Sequence, residues 1–336
     1  MFGLGYVGAV AFVVSRHASA GSVLLVLAAG ARLSAYIGAA VREIGFLRGF
    51  WAAGARRLAW LEDFAASVRA AAALQAPVRL TRGIRFDHVS FVYPGTSRLV
   101  LEDITLDLPA GAVVAIAGEN GAGKTTLVKL LTRMYEPSTG SILVDDVPLA
   151  RIRADEWRAA AAGAFQDFCR FEFTARESVG VGDVPRVADR GAVRTGLARA
   201  GADDVVARFP SGLETQLGAA WPGGVEVSFG QWQKLALARG FMRDAPVLLV
   251  LDEPTAALDA ETEHALFERY AAAARASGAN GRITILVSHR FSTLRMADLI
   301  VVLDGAHVVE AGSHDALMAQ GGRYAELYGI QAAAYE

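Results

Sequence analysis

The sequence holds a single cysteine, Cys169, which excludes an intramolecular disulfide framework and fits a reducing compartment. It also lacks an excess of either charge. A formal net charge of -2 at pH 7 leaves no basic footprint, so nucleic acid is not an electrostatic default. No positive charge precedes the apolar start Met1-Phe2-Gly3, which argues against a secretory signal peptide. Proline is absent until Pro77, the first helix-stopping signal. What is present is apolar. The hydrophobic fraction of 53% in 336 residues sits at the upper edge of ordinary globular usage, and the excess is gathered in the first fifth of the chain.

Met1 to Val14 is almost wholly apolar but shorter than the ~20 residues a spanning helix needs. Ser15, Arg16 and His17 interrupt it. A second apolar stretch, from about Ala18 to Leu47, is long enough, with Arg32 inside it and Arg42 and Glu43 near its end. Arg48, Arg56 and Arg57 follow, so the positive-inside tendency puts the C-terminal end of this helix in the cytoplasm. Gly49 to Leu74 carries Trp51, Leu58, Trp60, Leu61 and Phe64 at roughly helical spacing. One helix from about Ala20 to Gln75 would be ~80 Å long, so its lower half must reach beyond a bilayer. The expected division is a membrane-helix region over 1–76, with a partial helix at about 1–15 and a spanning helix plus extension at about 20–75. A linker at 77–83 follows. A buried amphipathic helix of a soluble domain is the alternative reading of the apolar stretch.

After Pro77 the pattern changes. Ile84 to Tyr93 and Leu99 to Leu108 alternate as strands do. Val113 to Ala117 is a short apolar run, as a buried strand would be. It leads into Gly118-Glu119-Asn120-Gly121-Ala122-Gly123-Lys124-Thr125, with Thr126 next and an apolar-periodic helix over Leu127 to Met134. Strand, glycine-rich loop and helix start are the order a phosphate-binding loop requires. Glycine lets the backbone fold around phosphates, and N–H groups at the helix start face the anion. Lys124 supplies a point charge to the β/γ-phosphates, and the Thr125 hydroxyl is placed for Mg²⁺. Far downstream, Val247 to Leu251 is a buried-strand run followed by Asp252-Glu253. An acidic residue at such a strand end holds Mg²⁺ directly or through water. That role is assigned to Asp252, and Glu253 is placed to act as general base on the attacking water.

These residues resemble the ATP-binding-cassette (ABC) family, over about Ile84 to Tyr328. Val227-Ser228-Phe229-Gly230-Gln231 looks like the family signature, usually Leu-Ser-Gly-Gly-Gln, just upstream of the strand that ends in Asp252-Glu253. In the family this segment binds the γ-phosphate of the ATP held by the opposite subunit; Ser228 and Gly230 match, while Phe229 stands where glycine is usual. By the same resemblance Tyr93 is the adenine-stacking aromatic, and Gln166 is the loop glutamine that touches Mg²⁺ and water. Asp259, in Ala257-Leu258-Asp259, belongs to the segment crossing the dimer interface, and His289 is the switch histidine.

The resemblance implies an α/β P-loop NTPase cassette over 84–330: a mixed sheet with a RecA-like core, a β-subdomain, and a helical signature subdomain at about 168–242. It implies an ATPase using ATP and Mg²⁺, with Thr125, Gln166 and Asp252 around the metal. It further implies a second cassette as partner and a lipid bilayer at the cell membrane, with no nucleic acid. The helices before the cassette make it look like an exporter, coupling hydrolysis to export of an unidentified substrate. Two departures stand out. Leu217 to Gly224 replaces the acidic Thr-Glu-Val-Gly-Glu-like segment usual in exporters. One membrane helix and a fragment replace six, so the chain reads as the C-terminal part of an exporter half. A soluble non-transport ATPase, or a transport-incompetent fragment pairing with another chain, are the competing readings.

Overall fold

A computed structural model of the chain describes residues 2–15, 19–71, 74–252, 281–288 and 291–334. The chain divides into two compact units, Met1–Ala70 and Ala71–Glu336.

The first unit is helical: α1 (Phe2–Ser15), α2 (Ala20–Phe46) and α3 (Ala52–Ala71). Ser19 caps α2 by accepting from the Ser22 N–H, as a small hydroxyl residue does at this position. Among the described residues one span, Gly21–Ala66, is long and apolar enough to cross a membrane by length and composition. The helix expected over Ala20 to Gln75 is interrupted, because Leu47–Trp51 forms a π-helical turn between α2 and α3. Its wider ring accommodates one more residue per turn than an α-helix. Phe46 stacks on Phe50 of the turn (5.5 Å between ring centroids), and Trp60 stacks on Phe64 (5.6 Å) at the i,i+4 spacing within α3.

The second unit contains ten strands among the described residues: β1 (Gly83–Val92), β2 (Leu99–Pro109), β3 (Val113–Gly118), β4 (Thr139–Val144), β5 (Val147–Pro148), β6 (Ala161–Ala164), β7 (Leu248–Asp252), β8 (Ile283–Val287), β9 (Leu299–Asp304) and β10 (His307–Gly312). They form two sheets. An antiparallel one runs β2-β1-β4-β5, and a larger one runs β10-β9-β3-β8-β7-β6. In the larger sheet β9, β3, β8, β7 and β6 are parallel and β10 is antiparallel, so it is mixed as expected. β3, β7 and β8 are apolar and buried along almost their whole length, as strands covered on both faces must be.

The helices of this unit are α4 (Lys124–Leu131), α5 (Ala154–Ala160), α6 (Ala175–Gly180), α7 (Arg190–Ala200), α8 (Asp203–Ala207), α9 (Phe229–Gly240), α10 (Phe291–Leu294), α11 (His314–Gln320) and α12 (Arg323–Ala334). One core, around Val113, Val193, Leu197, Leu235 and Leu251, joins the helices α6–α9 to one face of the large sheet. The other, around Phe86, Leu101, Leu127, Trp157 and Ile285, joins the opposite face to α4, α5 and the antiparallel sheet. Trp157 is fully buried there, and its Nε1 donates to the Leu131 carbonyl at 2.8 Å. That satisfies an orphan carbonyl at the end of α4 while the indole fills the core. The α/β cassette fold read from the sequence is therefore the fold observed. The helix after the glycine-rich loop shifts: α4 runs Lys124–Leu131, where the apolar period places it over Leu127 to Met134.

The entry into β1 is fixed by one carboxylate. Asp145 accepts from the backbone N–H groups of Thr81 (2.9 Å), Arg82 (2.8 Å) and Gly83 (2.9 Å). Burial alone would raise its pKa, but the bonds from Gly83, Arg82 and Thr81 together outweigh it and hold the carboxyl below its ordinary value. Its contribution is present above the unfolded-chain value of about 3.9 and is lost as pH falls through the lower folded value. Asp145→Asn is expected to cost about 1 kcal/mol at neutral pH. In urea melts the gap from wild type should narrow below about pH 4. A gap independent of pH would contradict the assignment.

Candidate functional site

The glycine-rich loop leaves the sheet at Gly118, the last residue of β3, and re-enters regular structure at Lys124, the first of α4. Two of its glycines are required by space as well as by conformation. Gly118 has φ +143°, and a Cβ there would lie 2.3 Å from the Leu303 carbonyl oxygen of the adjacent strand β9. Gly123, at φ +104°, would put a Cβ 2.7 Å from Leu101 Cδ2 and 2.9 Å from the Val100 carbonyl. No L-side chain fits either position without displacing backbone. Glu119, Asn120 and Gly121 form the exposed outer limb of the loop, while Ala122 and Gly123 are buried. Lys124 is also buried, and its Nζ donates to the carbonyls of Gly118 (2.8 Å) and Glu119 (3.0 Å). The ammonium is thus held at the mouth of the loop.

Thr125 is half-buried in the first turn of α4, and Thr126 is buried behind it. The hydroxyls of Thr126 and Tyr93 share a hydrogen bond of 3.0 Å. Edge-to-face contacts with Phe91 (4.9 Å) and Tyr135 (5.2 Å) complete the setting of the Tyr93 ring, with Lys129 Nζ 5.7 Å from its centroid. The aromatic predicted to take adenine is therefore tied to the helix that carries the phosphate loop.

The register of the large sheet gathers the remaining residues. Ile116 and Asp252 both face Val287, and Leu251 faces Ala164. Gly118, Ser288, Asp252 and Gln166 accordingly lie at or just past the C-terminal ends of β3, β8, β7 and β6, taken in sheet order. The carboxyl edge of a parallel sheet is where such folds place ligands. Asp252 is 1% exposed and Gln166 is exposed. Glu253, Asp259 and His289 lie outside the described residues. The donors expected from the sequence are hard oxygens: the Thr125 hydroxyl, the Asp252 carboxylate and the Gln166 amide oxygen. One carboxylate with a hydroxyl suits Mg²⁺, which takes its other ligands from phosphates and water.

The signature segment sits on the first turn of α9. Ser228 is its N-cap, accepting from the Gln231 N–H, while Gln231 Oε1 accepts from the Ser228 N–H at 2.9 Å. This reciprocal capping box satisfies orphan donors at the helix start. Gly230 faces open space. Phe229 is 53% exposed, its ring 5.6 Å from that of Phe168 and 5.6 Å from the Arg170 guanidinium. Its contacts thus run to the loop that follows Gln166.

Two residues escaped the sequence reading. Arg239, on α9, donates to the carbonyls of Ser178 (2.9 Å) and Cys169 (3.0 Å) and lies 4.5 Å above the Phe171 ring. Burial pushes its pKa down to about 10, which leaves it charged at neutral pH. Trp221 donates from Nε1 to Glu172 Oε2 at 2.9 Å, and Gly218, at φ +95°, leaves room for that carboxylate where a Cβ would stand 2.6 Å from it. The segment that departs from the exporter pattern is thus docked on Glu172. Nothing in the spacing of these residues announces either contact.

A strand, a phosphate loop and a helix, with a buried aspartate at the end of the next strand but one, define a P-loop nucleotide-binding domain. Residues 101–256 match the protein family described as "ABC transporter". The chain is 42% identical over 256 residues to an "ATP-dependent lipid A-core flippase" of Burkholderia orbicola, covering 76% of this chain and 41% of that protein. A protein of the same name from Pseudomonas fluorescens is 41% identical over 244 residues, covering 71% of this chain and 38% of that one. A solved structure, "Structure of a bacterial Atm1-family ABC exporter with ATP bound", superposes with a TM-score of 0.76 at 30% identity, over 98% of this chain and 56% of that chain. Residues 101–256 thus carry an ABC-type ATP-binding cassette, and the fold is similar to that of an ABC exporter. It spans about two fifths of the length of the curated relatives it matches.

Gly118→Ala tests the steric reading of the loop. The backbone of Leu303 cannot yield as a flexible side chain would, so the substitution is expected to cost more than about 1 kcal/mol and to weaken ATP binding with it. Thermal melting with and without ATP measures both. An unchanged melting temperature and affinity would show that the loop can leave the sheet by another route.

Proposed function

We propose that this chain binds and hydrolyses ATP as one of two cassettes paired head to tail, and that the cycle drives export across a membrane. The observation that carries the reading is the arrangement of Lys124 and Asp252. Lys124 Nζ is held on the carbonyl of Gly118, the last residue of β3, and Asp252 is the last residue of β7, with the single strand β8 between them, so one triphosphate can meet both. In this reading Lys124 and the loop N–H groups hold the β- and γ-phosphates. Tyr93 stacks on the adenine. Mg²⁺, held by Thr125, Asp252 and Gln166, supplies neutralisation of phosphate charge when bound. Glu253 accepts a proton from the attacking water, and His289 contacts the γ-phosphate. Ser228, Gly230 and Gln231 of the partner cassette close the far side, with Asp259 at the interface. ATP binding favours the closed pair and hydrolysis reopens it.

The transport half of the proposal is supported by the extent of the structural likeness. It takes in 98% of this chain, helices before the cassette included, whereas a soluble non-transport ATPase has no use for the exposed apolar span Gly21–Ala66. The helices then sit in a cell membrane with the cassette on the cytoplasmic side. The names of the relatives make an amphiphilic lipid the first cargo to test.

Glu253→Gln protein should bind ATP with near-normal affinity and associate into dimers, yet turn over at least about a hundredfold more slowly. Turnover near the wild-type rate would remove Glu253 from the base role. Lys124→Ala should lose most of the nucleotide affinity, read by titration with ATP, and unchanged affinity would defeat the phosphate-loop role.

A further inference from the structure

Resting on the ATPase reading above, we propose that Arg323, at the start of the C-terminal helix α12, is a positioning residue for nucleotide binding: it neutralises Glu119 at the outer limb of the phosphate loop.

The argument begins with a misplaced charge. The second position of the loop is a carboxylate, Glu119, 63% exposed and one residue from where the phosphates must pass. A cavity of about 580 Å³ beside the loop is lined by Glu119, Glu102 and Asp304 as well as Arg98 and Asn120. A triphosphate approaching this edge meets like charge, which dissolved salt screens only in part over distances shorter than about 8–10 Å. Arg323 answers that charge. Its guanidinium contacts Glu119 Oε1 at 2.5 Å, Asp304 Oδ2 at 3.3 Å and Glu326 Oε2 at 2.7 Å.

The arginine is also held in place from its own backbone. Glu310, on β10, accepts from the N–H groups of Arg323 (2.6 Å) and Tyr324 (2.9 Å). A carboxylate at a helix N-terminus is favoured by the helix dipole. Gly322 permits the approach, since a Cβ there would stand 1.8 Å from Glu310 Oε1. Tyr324, fully buried, anchors the next position. The guanidinium is 26% exposed and reaches the loop from a fixed base, so little rotamer freedom remains to be lost. The Glu119 carbonyl also accepts from Lys124 Nζ, so the residue whose side chain Arg323 grips has a backbone that sets where the loop lysine rests.

An isolated exposed ion pair contributes little to stability. The consequence proposed here is different: without Arg323, the Glu119 charge is turned on the nucleotide. R323A is expected to raise the Kd for ATP and the KM about threefold to tenfold with kcat changed less than about twofold. The defect should shrink as salt is raised from low to high ionic strength. Measured in E119Q protein, the same R323A substitution should change the Kd less than about twofold, whatever E119Q does by itself. R323K, which keeps the charge but not the fork, should fall between R323A and wild type.

If R323A weakens ATP binding equally in both backgrounds, the arginine acts by docking α12 and the proposal is overturned. An unchanged Kd in R323A overturns it as well. Thermal melts of all variants identify any that fail to fold, in which case the R323K comparison in the two backgrounds decides by the same criterion. If the wild-type chain itself binds no ATP, it is the ATPase reading that fails.

Discussion

The close approach of Gly118 to the Leu303 carbonyl is the constraint on which the nucleotide site depends. It fixes the point and direction in which the chain leaves β3. Every later placement follows from that exit. Gly123 must tuck against Val100 and Leu101 for α4 to start, and the start of α4 sets Lys124, Thr125 and Thr126. Thr126 in turn fixes Tyr93 through its hydroxyl. A parallel sheet then does the rest by register alone, bringing Asp252 and Gln166 to the same edge. The two sheets and two cores serve one purpose in this picture: they hold the strand ends level, so that groups far apart in sequence share one plane.

The helical layer obeys a second constraint. Arg239 is enclosed by carbonyls of Ser178 and Cys169 and by the Phe171 ring, and Phe229 leans on Phe168 and Arg170. The helix bearing Ser228 and the loop after Gln166 therefore form one body. The ring at position 229, where related sequences favour glycine, adds contact area on that body instead of backbone freedom. The docking of Trp221 on Glu172 extends it to the segment before the signature. What an acidic stretch would offer to another domain, this chain spends within its own fold.

Much of this was legible in the sequence, for physical reasons. Buried strands such as Val113 to Ala117 and Ile283 to Val287 announce themselves because both faces must be apolar. The glycines of the loop are visible because only glycine can make the approaches seen at Gly118 and Gly123. Other features left no local mark. The first turn of α9 carries no apolar period, because Phe229 and Gly230 look like loop, while the capping box between Ser228 and Gln231 draws them into the helix. Arg239 meets Cys169 across 70 positions and Arg323 meets Glu119 across 204. Contacts of that range are properties of the fold, and one sequence holds no period or spacing that reports them. The π turn was invisible as well, since apolar spacing records which face a residue occupies and not which carbonyl its N–H selects. The predicted base Glu253, the interface residue Asp259 and the switch histidine His289 lie outside the described residues, and their roles rest on the sequence.

The π turn at Leu47–Trp51 bears on how this helical region can change length. In a regular α-helix each residue advances the face by about 100°, so losing one residue swings every later side chain to a new side. A π turn stores one residue beyond the α count. Removing a residue there closes the wide ring and leaves the flanking faces where they were. Phe46, upstream, and Trp60 and Phe64, downstream, would keep their directions. Insertions and deletions that would scramble the helix elsewhere can be absorbed at these five positions, which makes the turn the natural place for homologous helices to differ by one.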